Sequence, residues 1–415
     1  MKHRDVCGAA LSALLVVAYQ ASGAPTGRPS EASATVDSSA ARSSISQAPG
    51  ESRVLHFAVV DAFTGPQAIY GNGNKFGILL RAKEINDAGG FTDSCGNHYT
   101  IDVTTNDADD SPQAATALLR GAAADPTVLA VMGPSASTYW LAMIPVAGQL
   151  RITLLSNGTG APVTTWNPWV YRDAIVPPVA LPIVMKQVKD LFHIMKVAVI
   201  VDTTNDAQVS DAQTVRDLAP TIGYEIVAYT TFRAGDVDMR PQLTRIKAAN
   251  PDWIAYETSG GQLLATVFNQ ALELGLGNIP KYSSFTAWAD AKTWDLTGGK
   301  ASGGYSWAPT KGASSKTDPK ISEFLTSYKN FSGLDANNIS VRGYDLLGLS
   351  VDAVKKTCSA TDRAAFNQAV RESRYDGLQG TISFGKDTGD VQVEGNAVGL
   401  VQTTERGLYK VVTGP

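Results

Sequence analysis

The stretch "VLAVMGPSAST", residues 128–138, changes within a few positions from continuous apolar character to small and hydroxylic residues, with no acid or base in it. Val128–Met132 reads as a short strand covered on both faces, because an unbroken apolar run bounded by a turn suits a buried strand. Gly133-Pro134 turns the chain, and Ser135 or Ser137 can cap a helix that begins near Thr138. The segment is therefore a strand, a tight turn and a helix, the repeating unit of an α/β protein.

Outward from this unit the same rhythm recurs. Further strands are expected at 54–60, 99–105, 196–201, 224–229 and 253–256, with helices at 74–88, 112–124, 208–218 and 262–274 between them. Strands alternating with helices imply parallel sheets flanked by helices, so the fold class is α/β. Ligands of such sheets gather beyond the carboxyl ends of the strands, which makes the residues just after each run the informative ones. The last third changes style, with helices at 321–331 and 341–357, a short strand before the Gly/Asp-rich "GKDTGD", and a hairpin formed by 396–402 and 407–412.

Composition bounds the rest. A chain of 415 residues, 44% hydrophobic and 18% charged, can bury a large core, and its length suits two domains. A net charge of −4 with no Lys/Arg-rich run disfavours nucleic acid and anionic membranes as partners. Residues 1–23 read as a secretory signal, since Lys2, His3 and Arg4 precede an apolar stretch too short to span a membrane, and Ala21-Ser22-Gly23 offers small residues for cleavage. Residues 24–53, rich in Ala, Ser, Pro and Gly, read as a disordered linker. After cleavage two cysteines remain, so in an oxidising compartment a Cys95–Cys358 disulfide is expected, with two free thiols as the alternative.

Four constellations bear on chemistry. "ITLLSNGTGAP", residues 152–162, repeats the chemistry of the opening stretch, ending an apolar run in Ser156, Asn157, Gly158 and Thr159. Hydroxyls and backbone N–H groups from the two turns would together suit a carboxylate, although caps and turns use the same residues. Hydrogen bonds to a charged group contribute about 1.5–3 kcal/mol each, so three or four support affinity near micromolar after binding costs. A nucleophilic serine is disfavoured, because the turn lacks the second Gly of a nucleophile elbow and none of His56, His98 and His193 follows a strand's carboxyl end. "YGNGNKFG", residues 70–77, fits no phosphate-loop spacing and reads as a flexible loop entering a helix. Asp107, Asp109 and Asp110 precede Ser111-Pro112 as a helix start favours, without the Glu of a calcium loop. No metal or other cofactor is expected. Asp206, Glu257 and Asp290 stand near strand ends, where each could meet a ligand ammonium, and Trp140 and Trp288 suit the walls of a ligand cleft, although core packing is the commoner fate of a Trp.

The mature chain resembles the type I periplasmic substrate-binding proteins of ABC transporters, in particular the leucine/isoleucine/valine-binding family. The resemblance rests on "TGPQAIYG" (64–71), "AKEINDAGG" (82–90), "NDADDSPQAA" (106–115), "VMGPSAST" (131–138), "LLSNGTGAP" (154–162) and "YDGLQGTISFGKDTGDV" (375–391), in that order. It implies two lobes joined by three hinge crossovers, lobe one from 54–175 and 311–393, lobe two from 176–310 and 394–415. It also implies a ligand clasped between them, with Ser135, Ala136 and Ser137 on its carboxylate, Asn157, Gly158 and Thr159 beside them, and Tyr70 lining the pocket. Relatives carry a Tyr-Gly pair where this chain has "TTNDAQ" (203–208), which leaves Asp206, with Glu257, for an amine. The implied protein is a periplasmic monomer, not an enzyme, that delivers an amino acid or another small carboxylate, aromatic or aliphatic, to a membrane permease. A sensor module for a membrane receptor is the neighbouring role. A transcription regulator of the same fold is disfavoured, since no helix-turn-helix precedes the first strand.

Overall fold

The computed structural model describes residues 52–65, 67–109, 111–158, 167–284, 286–309, 318–385, 387–392 and 398–412. The leader and nearly all of the linker expected over 1–53, together with Thr159, Asp110 and the stretches 310–317 and 393–397, lie outside them.

In chain order, the first lobe starts with β1 (Arg53–Asp61), α1 (Ala68–Asp87), β2 (Phe91–Thr92), β3 (His98–Asp107), α2 (Pro112–Ala124), β4 (Val128–Met132), α3 (Ser137–Leu150), β5 (Thr153–Ser156) and β6 (Val170–Arg172). The second follows with α4 (Pro177–Phe192), β7 (Lys196–Asp202), α5 (Asp206–Ile222), β8 (Glu225–Phe232), α6 (Arg240–Ala248), β9 (Trp253–Glu257), α7 (Gln262–Glu273), β10 (Lys281–Tyr282), α8 (Ala291–Leu296) and β11 (Tyr305–Pro309). Then come α9 (Pro319–Ser332), α10 (Asn338–Thr357), α11 (Arg363–Arg371), β12 (Arg374–Gly377) and β13 (Gly380–Ser383), and last β14 (Val398–Glu405) and β15 (Leu408–Val411).

Among the described residues, β2-β3-β1-β4-β5-β6 form one sheet and β15-β14-β11-β10-β9-β7-β8 another, and β12-β13 pair as a hairpin. Pairings are parallel except at β2-β3, at β11-β14-β15 and in the hairpin. The two-lobed α/β architecture is the one expected.

Both faces of each sheet are covered, which accounts for the unbroken apolar runs. In β1, Phe57 and Val59 face a core shared with Leu346 and Leu349 of α10, whereas Ala58 and Val60 face Leu119, Trp140 and Met143 of α2 and α3. In β7, Val197 and Val199 belong to the first of these cores, and Ala198 and Ile200 to one with Leu243, Ile246 and Phe268 of α6 and α7. Alternation of period two is present in these strands, but each face finds an apolar partner.

One local expectation fails. "YGNGNKFG" is not a loop but the first half of α1. Its glycines allow helix-to-helix contact closer than any side chain permits: a Cβ on Gly77 would stand 2.1 Å from the Ser340 carbonyl oxygen, and one on Gly343 of α10 2.4 Å from that of Asn74. This packing outweighs the roughly 1 kcal/mol of helix propensity that each glycine forfeits.

Cys95 and Cys358 are joined in a disulfide, with Cα atoms 5.8 Å apart across 263 residues of sequence. It ties the turn between β2 and β3 to the end of α10, where Ser94 N–H also donates to the Lys355 carbonyl at 3.1 Å. Where β6 leaves lobe one, Arg172 pairs in parallel with Asp390 and its guanidinium, fully buried, meets the Asp390 carboxylate at 2.7 Å. Two chain segments that cross between the lobes are thus held side by side.

Candidate functional site

The site begins where β1, β4 and β5 end. Gly133 has φ +99°, and a Cβ there would lie 2.5 Å from the Val60 carbonyl oxygen, so the turn after β4 requires glycine. Ser135 follows, but its N–H and Oγ both donate to Asp61 at 2.9 Å. Asp61 is fully buried at the end of β1 and also accepts from Asn74 Nδ2 at 3.0 Å. Burial pushes its carboxyl up to about 6, against the pull of these hydrogen bonds. The Ser135 hydroxyl is thus engaged with an internal acid. No local signal reveals that acid, which lies 74 residues earlier.

The turn after β5 adjoins the first. Ser156 Oγ donates to the Pro134 carbonyl at 2.6 Å and accepts the Gly158 N–H at 3.0 Å. A Cβ on Gly158 would stand 3.3 Å from Ser156 Oγ and 3.4 Å from both the Ser135 carbonyl oxygen and Ser137 Oγ, so the two turns lie side by side. Asn157, fully buried, donates Nδ2 to Asn74 Oδ1 at 2.9 Å. A carboxylate only accepts, so Asp61 orients Asn74, and Asn74 in turn orients Asn157. Asn157 Oδ1 is left without a partner. The Asn157 side chain therefore offers an acceptor. The first turn of α3 adjoins these turns, with Ser137 buried and no side-chain cap from Ala136.

Lobe two contributes the start of α5. Asn205 Oδ1 caps the helix by accepting from Ala207 N–H at 3.0 Å, and its Nδ2 donates to Ser259 Oγ at 3.0 Å. Gln208, nearly fully buried, has Oε1 unpartnered. Gln67, Tyr70, Ser135–Ser137 and Asn157 face Asn205, Ala207 and Gln208 across a narrow cavity of about 30 Å³, completed by Asn338 and Ile339. None of these residues is charged. Tyr70, in the first turn of α1, spans the lobes: its hydroxyl accepts the Gly260 N–H at 3.2 Å, and burial raises its pKa. Asn205, Gln208 and Gln67 were not foreseen; the cap pattern "ND" at 205–206 was the available signal for the first.

Four further candidates lie elsewhere. Asp206 occupies the first turn of α5, where an acid suits the helix dipole, and does not line the cavity. Glu257 is sealed inside lobe two, accepting from Ser284 Oγ at 2.5 Å, and burial beside Asp211 holds its carboxyl well above the usual range. Trp288 is core, packed edge-on to Tyr256 and Phe268 with ring centroids 5.6 and 5.0 Å away. Trp140 is likewise buried, under the Arg172 guanidinium at 4.6 Å. Neither indole walls the cleft, because each fills a helix-to-sheet core that the sequence pattern could not assign.

Among the described residues, the one tight group of potential metal ligands is Asp93 with Cys95 and Cys358, whose sulfurs are bonded to each other. No described helix is long and apolar enough to cross a membrane.

Comparison with known proteins matches residues 54–404 to a family model described as periplasmic binding protein. A comparison with curated protein sequences returns no match. Similar solved structures include the leucine-binding protein LivK of Thermotoga maritima, with 22% identity over 87% of this chain and 98% of that one, TM-score 0.73. The branched-chain amino acid binding protein LivJ of Streptococcus pneumoniae, in complex with isoleucine, shows 21% identity over 88% and 100%, TM-score 0.74. A solute-binding protein of R. palustris, in complex with benzoate, shows 16% identity over 87% and 96%, TM-score 0.75.

Proposed function

This chain belongs to the periplasmic binding protein family, whose members bind solutes for transport rather than catalyse reactions, and we propose that it is the extracytoplasmic component of an ABC importer that closes on a small carboxylate-bearing ligand. The observation that supports this reading is the cavity between the lobes, where Ser135–Ser137 at the start of α3 and the turn at Asn157 face Asn205, Ala207 and Gln208. Backbone N–H groups at a helix start stabilise an anion without a neighbouring cation. Lobe one, 54–175 with 311–393, takes the carboxylate first. Lobe two, 176–310 with 394–415, adds contacts that exist only on closure, such as that of Tyr70 with Gly260.

The ligand is an amino acid or a simpler carboxylic acid, a range supported by the isoleucine and benzoate complexes of similar structures. The basic and then apolar start of the chain supports export to the periplasm through a cleavable signal. The protein acts as a monomer that hands its ligand to a membrane permease, and a sensory role at a membrane receptor is the alternative. A thermal-shift screen of amino acids, aromatic acids and short aliphatic acids tests the ligand class. The expected result is a rise in melting temperature confined to carboxylates. Silence across the panel, or equal shifts from the corresponding amides, would overturn it.

A further inference from the structure

Besides the bond of Tyr70 with Gly260, a charged contact joins the two lobes. Arg406 occupies the turn between β14 and β15 of the second sheet. Its Nε and Nη2 donate to the two carboxylate oxygens of Asp295 on α8 at 2.9 and 3.0 Å, and its Nη1 donates to Asp335, between α9 and α10. We propose that Arg406 is a clasp, whose ion pair with Asp335 holds the lobes together and makes their closure sensitive to ionic strength. The inference rests on the closing of two lobes in the proposed function, and not on the class of ligand.

Each partner is set in place by its own lobe. Arg406 is fixed by the paired oxygens of Asp295 and by its neighbour Gly407, whose N–H donates to the Ala289 carbonyl at 2.9 Å. Asp335 is fixed by Lys329 of α9, whose Nζ meets its other oxygen at 2.9 Å. The helix that follows it, α10, packs on α1 of lobe one where Gly77 meets Ser340. An exposed ion pair ordinarily gains little, because ordering two long side chains offsets the attraction. Here that ordering precedes the meeting of the lobes, so the attraction is available to closure.

Position gives the contact leverage. The chain leaves lobe two after Pro309 and re-enters it at Val398, and these two residues pair. From Val398 to Glu405, β14 extends about 23 Å at ~3.3 Å per residue. Arg406 therefore stands at the end of β14 away from those crossings, where a hinge rotation moves it farther than any residue beside them. Gly407 and Tyr409 share a cavity of about 60 Å³ with Tyr70, Gly260 and Asn337, so the clasp and the Tyr70 contact border one seam.

The Arg406 side chain is 44% exposed and that of Asp335 32%, which leaves the pair open to screening by salt. Burial opposes ionisation of Asp335, but Lys329 and Arg406 outweigh it and hold its carboxyl below the usual range. The clasp is thus charged at neutral pH, and salt is the variable that loosens it.

The test uses the whole protein without ligand, at 20 mM and 500 mM NaCl. Small-angle scattering reads the radius of gyration, and hydrogen–deuterium exchange reads the peptide containing Gly260, whose N–H is held by Tyr70. The expected result is a larger radius and about threefold faster exchange at high salt. Asp335→Asn and Arg406→Gln should each show the high-salt behaviour already at 20 mM, and the double variant should match either single one, because all three remove one contact. Asp190→Asn, which breaks a pair within α4, should leave both readouts native. Native size and exchange that ignore salt, variants that keep the native values, or an equal response from Asp190→Asn would overturn the proposal. If Tyr70→Phe loosens the protein while the Arg406 and Asp335 variants do not, closure of the lobes stands and this inference alone fails.

Discussion

The hydroxyl of Tyr70 in lobe one accepts the backbone N–H of Gly260 in lobe two at 3.2 Å. This bond joins the first turn of α1 to the approach of α7. The Gly260 N–H is half-buried, and a hydrogen bond of this kind contributes about 0.5–1.5 kcal/mol.

Replacing Tyr70 with Phe should therefore weaken ligand binding about fivefold or more, a loss of ~1 kcal/mol, through the closed state alone. Calorimetry on the ligand found by screening reads the affinity, and small-angle scattering reads closure. Unaltered affinity would mean that the contact contributes nothing to closure.

Asn157→Asp places a second acid one side chain away from Asp61, through Asn74. In a cavity whose described walls are uncharged, the added charge should repel a ligand carboxylate and reduce affinity at least tenfold. The same variant should bind the corresponding amide without loss. Equal effects on acid and amide would place the carboxylate elsewhere.

Stability should fall as pH rises from about 4 to 7. Burial raises Asp61 to about 6 and Asp173 and Asp345 to about 7, against an ordinary value of 3.8. Between those values the unfolded chain has already released protons that the folded protein retains, so the folded state loses ground as each is removed. Acids with lowered values, such as Asp93 and Asp107, gain stability with pH only below about 5. The melting temperature should thus be at least about 5 °C higher at pH 5 than at pH 8, and a flat or rising profile would contradict the burial of these groups.

The Cys95–Cys358 disulfide closes a loop of more than 260 residues. Cys95→Ser with Cys358→Ser should lower stability by about 2–5 kcal/mol, read by denaturant unfolding, because the unfolded chain regains the freedom of that loop. Ligand affinity should change little, since the bridge is remote from the cavity residues.

The sheets were legible from the sequence because a strand covered on both faces must be apolar at nearly every position. The stretches 128–132 and 196–202 carry that demand in adjacent residues. The two turns of the candidate site were legible for the same reason, since the break from apolar to small and hydroxylic residues marks a strand's end whatever lies beyond it. The glycines of α1 were misread, because the helix α10 that rewards their lack of side chains lies more than 260 residues away.

The sequence by itself determined the α/β class, the order of its units and the places where strands stop. Only the tertiary structure decided what each polar group at those places does: that Ser135 answers Asp61, that Asn157 offers an acceptor, that Trp140 and Trp288 fill cores, and that Asp202 keeps one oxygen unused. Periodicity is a property of neighbours along the chain. The partner of a hydrogen-bonding group depends instead on which distant segment the fold brings within about 3 Å.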